Sequence, residues 1–172
     1  MHRTFIISLL AIMTLISIAA TKKPAPQEAP SDTRVIYIVR HAEKDASPDP
    51  HLSKAGAARA EKLAQVIAHE PIAGVFVTDT NRSRETGAPI AALNQIEDTT
   101  YPPLDTAKLR SMIDALPAGS NALVVAHSNT ISTILESLGA EPVGDLPEDE
   151  YTRLYAVVLH NNKHMRTIRL AY

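Results

Sequence analysis

The chain contains no cysteine and no tryptophan, and only 4% of its 172 residues are aromatic. The missing cysteines exclude disulfides, thiolate-bound metals and a cysteine nucleophile. With so few aromatics, Val, Ile, Leu and Ala must fill the core. At 45% hydrophobic and 21% charged, the composition and length suit one domain with a sizeable core. There is no Lys/Arg run outside the N-terminus, and the formal net charge is −2. No polyanion-binding surface is therefore expected, and nucleic acid is excluded as a partner. No internal repeat occurs.

The N-terminus reads as a targeting segment. Met1-His2-Arg3 is a short basic start, and residues 5–20 are apolar apart from Ser8, Thr14 and Ser17. Such a run is short of the ~20 residues that a full span wants. Ser17-Ile18-Ala19 offers a small-x-small cleavage signal. Residues 1–20 are read as a cleaved signal peptide, with an uncleaved N-terminal anchor as the alternative. The expected address is exported and periplasmic, with membrane contact only through such an anchor. No cysteine follows the run, which excludes a lipid-modified N-terminus. Residues 21–32 hold Lys22, Lys23, Pro24, Pro26 and Pro30 without apolar periodicity, and read as an extended tether. The folded domain is expected over 33–172.

Within it, residues 34–39 (RVIYIV), 72–77 (IAGVFV) and 122–126 (ALVVA) are continuous apolar runs suited to buried parallel strands. Helices are expected over 54–69 behind an N-cap at Ser53, over 82–93 with Pro89 as a kink or late start, over 104–116, and over 129–138. A short strand is expected at 99–101 and an acidic, proline-containing loop at 141–150. A C-terminal hairpin pairs 151–160 with 164–170 around Asn161-Asn162. Strands alternating with helices predict a three-layer α/β/α sandwich on a mostly parallel sheet, closed by that antiparallel hairpin.

Three clusters fall at or just after strand C-termini: Arg40-His41, Arg82 with Arg84, and His127. Ligands bind at that edge of open α/β sheets. Two arginines and two histidines suit a phosphoryl group, because guanidinium forks match phosphate oxygens. The N-terminus of the helix after His127 is expected to add backbone N–H donors. Arg84 lies about 200° round the helix from Arg82 and should miss its pocket; it reads as structural. Nothing provides the third protein ligand that a catalytic zinc site needs, so neither metal nor cofactor is expected.

Arg40-His41-Ala42-Glu43 resembles the Arg-His-Gly signature of the histidine phosphatase superfamily, the phosphoglycerate-mutase-like fold. VFVTDTNRSRETGAPIA (75–91) is similar to its strand-turn-helix segment bearing a second arginine. VVAHSNTI (124–131) resembles its second-histidine segment, and Leu52-Ser53-Lys54-Ala55-Gly56 its usual helix start. Alanine replaces the glycine after the nucleophile. The resemblance implies a phosphatase acting on a phosphorylated small molecule or phosphoprotein. It makes His41 the nucleophile that becomes phosphohistidine, Arg40 and Arg82 the phosphate-binding arginines, and His127, as an imidazolium, the second histidine. The family's proton donor is a carboxylate in a variable region. Asp105 is the residue chosen for it, with Glu43 as second candidate. Two alternatives stand beside this reading: a non-catalytic phosphate- or phosphoprotein-binding module, and a phosphoglycerate-type mutase.

Overall fold

In the computed structural model, residues 32–172 are described. The expected signal or anchor segment 1–20, and all of the tether except Asp32, lie outside the described residues. Ten elements follow in order: β1 (Thr33–Arg40), α1 (Lys54–Val66), β2 (Ile72–Val77), α2 (Asn81–Leu93), β3 (Asp98–Thr100), α3 (Thr106–Asp114), β4 (Asn121–Ala126), α4 (Ile131–Ser137), β5 (Arg153–His160) and β6 (Lys163–Ala171). They build one six-stranded sheet in the order β3-β2-β4-β1-β5-β6. β3, β2, β4 and β1 run parallel, and β5 and β6 continue the sheet antiparallel.

The apolar strands lie centrally because both of their faces are covered. Along β1, side chains alternate between faces. Ile36 and Ile38 join a core with Phe76, Val124, Leu109 and Ile113 of α3 and Ile131, Ile134 and Leu135 of α4. Tyr37 and Val39 join the opposite core with Val75, Val125, Leu63 of α1 and Ile90 of α2. Two cores on one sheet are the three-layer α/β/α sandwich expected from the sequence. Asn161 and Asn162, at φ 50° and 58°, make the tight turn between β5 and β6.

Element ends differ where side chains take over backbone groups. α3 starts at Thr106, not Leu104, because Asp105 is its N-cap and accepts from the Lys108 N–H at 2.8 Å. α4 starts at Ile131, not Asn129. The N–H groups of Thr130 and Ile131 both turn back to the His127 carbonyl, so residues 128–130 form a turn first. β5 starts at Arg153, not Tyr151, since the Glu150 carboxylate accepts from both the N–H and the hydroxyl of Thr152. α1 ends at Val66, three residues early, and β3 begins one residue early, at Asp98. α2 runs unbroken through Pro89 from Asn81, so no late start occurs.

No helix among the described residues is long and apolar enough to cross a membrane.

Candidate active site

β1, β2 and β4 are adjacent and parallel, so the residues after their C-termini meet at one rim. Arg40, His41, Arg82 and His127 line a single open cavity of about 650 Å³ there. The four side chains come from positions 40 to 127 of the chain, and sheet order alone gathers them.

His41 is 4% exposed. Its backbone N–H donates to the Ala126 carbonyl of the neighbouring strand, at 2.9 Å. Its Nδ1 lies 2.9 Å from the Ala42 carbonyl. A carbonyl can only accept, so Nδ1 carries the proton and Nε2 keeps its lone pair. The Ala42 N–H donates to the Thr86 hydroxyl at 2.9 Å, and that hydroxyl donates to the Arg82 carbonyl at 2.7 Å. One threonine thus ties the peptide after His41 to the turn of α2 that carries Arg82.

The chain beyond is held by Gly56. A Cβ on Gly56 would lie 2.0 Å from the Glu43 carbonyl oxygen, so only glycine lets α1 approach this closely. Ser53 caps α1 by accepting from the Gly56 N–H. Its own N–H donates to the same Glu43 carbonyl at 2.9 Å. The helix-start motif therefore fastens the segment just after His41.

The rings of His41 and His127 are 5.3 Å apart at their centroids. His127 Nε2 lies 3.0 Å from the buried Thr78 hydroxyl. Burial, then the repulsion of neighbouring cationic groups, lowers the pKa of each histidine to about 4. On His41 the Ala42 hydrogen bond opposes this. Both rings are accordingly neutral at ordinary pH.

The arginines differ in their engagement. Arg40, 3% exposed, donates through NH1 to the Pro147 and Glu148 carbonyls at 2.9 and 2.8 Å. Through NH2 it meets the Glu148 carboxylate at 2.9 Å. Its guanidinium also lies 4.2 Å over the Tyr151 ring. Arg82 reaches a carboxylate only at 4.0 Å, that of Asp49. The Nε atoms of both arginines are buried without a hydrogen-bond partner. A buried unpaired donor is costly.

Arg84 lies elsewhere, paired with Asp98 at 2.7 Å and Asp79 at 2.9 Å. Glu43 is engaged by Arg59 through both carboxylate oxygens, at 2.6–2.9 Å. Asp105 caps α3 and does not line the cavity, so the fold does not bring the chosen proton donor to the histidines. At the start of α4, the N–H groups of Thr130 and Ile131 are used on the His127 carbonyl, and the Ser128-Asn129 turn before them lines the cavity.

Sequence reasoning missed Lys44 and the loop residues Asp145, Leu146, Pro147 and Glu148, which also line the cavity. Thr86 had a findable signal, since it sits one helical turn after Arg82. Among the described residues no group of three or more His, Asp or Glu side chains is placed to hold a metal ion.

Comparison with known proteins agrees with this architecture. Residues 36–112 match the histidine phosphatase superfamily (branch 1). The chain is 36% identical over 83 residues to the uncharacterized protein Rv0525 of Mycobacterium tuberculosis, a match covering 44% of this chain and 41% of that protein. It therefore spans about two-fifths of that relative's length. In fold it is similar to the protein histidine phosphatase SixA complexed with tungstate, with TM-score 0.65, 18% identity and coverage of 80% of this chain and 96% of that one. It is also similar to the putative phosphohistidine phosphatase SixA from Agrobacterium tumefaciens, with TM-score 0.58, 23% identity and coverage of 83% and 99%. The family match thus covers residues 36–112, and the fold of the described residues is similar to that of the two SixA structures.

Proposed function

We propose that this chain is a member of the histidine phosphatase superfamily, a phosphatase that hydrolyses phosphomonoesters through a covalent phosphohistidine at His41. The observation that carries the reading is the state of the His41 ring. Its Nδ1–H is fixed on the Ala42 carbonyl and its pKa is lowered to about 4. A neutral imidazole with Nε2 unprotonated is the nucleophile such chemistry needs.

Nε2 attacks phosphorus in line. The N–P bond forms, the bond to the leaving oxygen breaks, and that oxygen takes a proton from water at the open mouth. A second water then attacks phosphorus, the N–P electron pair returns to Nε2, and phosphate leaves. Arg82 and Arg40 stabilise the phosphoryl oxygens as charge develops. Arg40 NH2 is shared with Glu148 and becomes available when a phosphoryl oxygen displaces that carboxylate. An arriving dianion favours the protonated form of His127, so its imidazolium forms with substrate rather than before it. The cavity is open to solvent, which suits water as final acceptor better than a mutase's second alcohol. The basic and apolar residues 1–20 support an exported, periplasmic enzyme.

The test is p-nitrophenyl phosphate hydrolysis by the wild type and by His41→Ala, with acid-labile, base-stable phosphate trapped on the wild-type chain. Losing the nucleophile should cost several powers of ten in rate. Retention of more than a few per cent of wild-type turnover by His41→Ala would remove His41 from the role.

A further inference from the structure

The acidic loop forms one wall of the cavity, and half-buried Tyr151 follows it, just before β5. Its ring meets both members of the Arg40-His41 pair. The Arg40 guanidinium lies over the ring face, 4.2 Å from the centroid, and the His41 imidazole lies 6.2 Å away, tilted by 54°. Tyr151 does not line the cavity; it stands behind two side chains that do. His41 thus has one ring neighbour that lines the cavity, His127 at 5.3 Å, and one that does not.

The chain around Tyr151 is fastened on both sides. Arg40 NH1 donates to the carbonyls of Pro147 and Glu148 and, at 3.3 Å, to that of Glu150. The Glu150 N–H closes a turn onto the Pro147 carbonyl at 3.0 Å. The Glu150 carboxylate accepts from the N–H and hydroxyl of Thr152 and from Arg153 Nε. The ring therefore sits on a short, pinned segment. That matters when a phosphoryl oxygen takes the place of the Glu148 carboxylate on Arg40 NH2, because the guanidinium then loses one restraint. The carbonyls still hold NH1, but a fork held at one nitrogen can rock. An aromatic face beneath it holds the plane.

We propose that Tyr151 is a positioning residue whose ring fixes the plane of the Arg40 guanidinium while Glu148 gives way to the phosphoryl group, and shields the His41 imidazole from water. The proposal takes the roles of Arg40 and His41 from the phosphatase reading above. Both contacts belong to the ring, so the hydroxyl is dispensable. Shielding by the ring adds to the burial that holds the His41 pKa at about 4. The charged or titratable groups that act on His41 are His127 after β4, Arg82 on α2 and Arg40 on β1. Lys44, Asp145 and Glu148 line the same cavity. All of them are retained in a Tyr151 variant, so a shifted His41 titration reports the ring.

The experiment compares the full chain with Tyr151→Phe, Tyr151→Leu and Tyr151→Ala. NMR titration of the histidine ring signals reads His41, and the Kd for inorganic phosphate reads Arg40. Tyr151→Ala should raise the His41 midpoint by about one pH unit as water gains access. It should also weaken phosphate by about tenfold as the cation–π contact is lost. Tyr151→Leu keeps apolar bulk without a π face, so it should weaken phosphate similarly while moving the His41 midpoint less. Tyr151→Phe should rescue both values. An alanine variant with wild-type midpoint and Kd would overturn the proposal. So would a phenylalanine variant as impaired as alanine, which would place the function on the hydroxyl. Should circular dichroism show the alanine variant unfolded, equal phosphate affinities in Tyr151→Leu and Tyr151→Phe would overturn it instead. Neither readout needs turnover. Absence of p-nitrophenyl phosphate hydrolysis by the wild type would overturn the phosphatase reading, whereas the titration and the phosphate affinity decide the role of Tyr151.

Discussion

The buried nucleophile should make this protein acid-sensitive in a measurable way. His41 is 4% exposed, and burial above all holds its pKa at about 4, against 6.5 for a free side chain. Between those values the unfolded chain binds a proton that the folded chain refuses. Stability from this group is therefore complete above pH 6.5 and is lost as pH falls toward 4. At ~1.4 kcal/mol per pH unit, the window is worth roughly 3 kcal/mol, a large share of a total that is ordinarily about 5–15 kcal/mol. The perturbation is His41→Asn, whose amide nitrogen can take the place of Nδ1 in donating to the Ala42 carbonyl but cannot titrate. Urea unfolding of both proteins from pH 4 to 7.5 reads the effect. The variant should match the wild type within about 1 kcal/mol at pH 7.5 and exceed it by roughly 2 kcal/mol at pH 4.5. Some slope should survive, because His127 is shifted the same way. Tungstate or phosphate should flatten the wild-type curve, since an anion favours the protonated rings. Parallel curves for wild type and variant would refute the claim that a buried neutral imidazole stands at position 41.

Five further outcomes are expected. Arg82→Ala should reduce kcat/KM by more than about 2 kcal/mol of transition-state stabilisation. Arg84→Ala, at a half-exposed pair of ion contacts, should leave turnover nearly unchanged; equal losses at the two positions would contradict the helix phase. Asp105→Ala should cost about 1 kcal/mol of stability as a lost N-cap while turnover persists, and a collapse of kcat would return Asp105 to the chemistry. Gly56→Ala should destabilise by more than roughly 2 kcal/mol and slow turnover, because its β-carbon would strike the Glu43 carbonyl and push the segment that follows His41; thermal melts and steady-state rates check both. EDTA should leave hydrolysis unchanged, and restoration of a lost rate by zinc or magnesium would overturn the metal-free mechanism.

What the sequence made legible was whatever depends on period and position along one strand. The runs ending at Arg40, Val77 and Ala126 are apolar on both faces because two helical layers cover them, and a strand buried on both sides cannot be much else. Parallel pairing then places the residues after those strands at one rim, so Arg40, His41, Arg82 and His127 could be grouped without knowing any contact. The acidic loop was legible only as a loop. What makes it a wall is Arg40 reaching residues more than a hundred positions later, and no local pattern encodes that reach.

Asp105 shows how a sequence choice between chemistry and capping goes astray. Asp-Thr-Ala-Lys is an ordinary N-cap start, and drawing α3 from Leu104 hid the cap and left the carboxylate free for another task. Glu43 lies in the loop after His41, and its partner Arg59 comes from α1, a contact that no local pattern encodes. Family resemblance supplies the place of His127, whereas its charge depends on burial and on Arg82 and Arg40 nearby. A histidine surrounded by guanidinium groups is neutral until an anion arrives. Burial first, with the same arginines that hold the substrate, thus keeps His41 a nucleophile, and an arriving anion couples protonation of the second histidine to occupancy of the site.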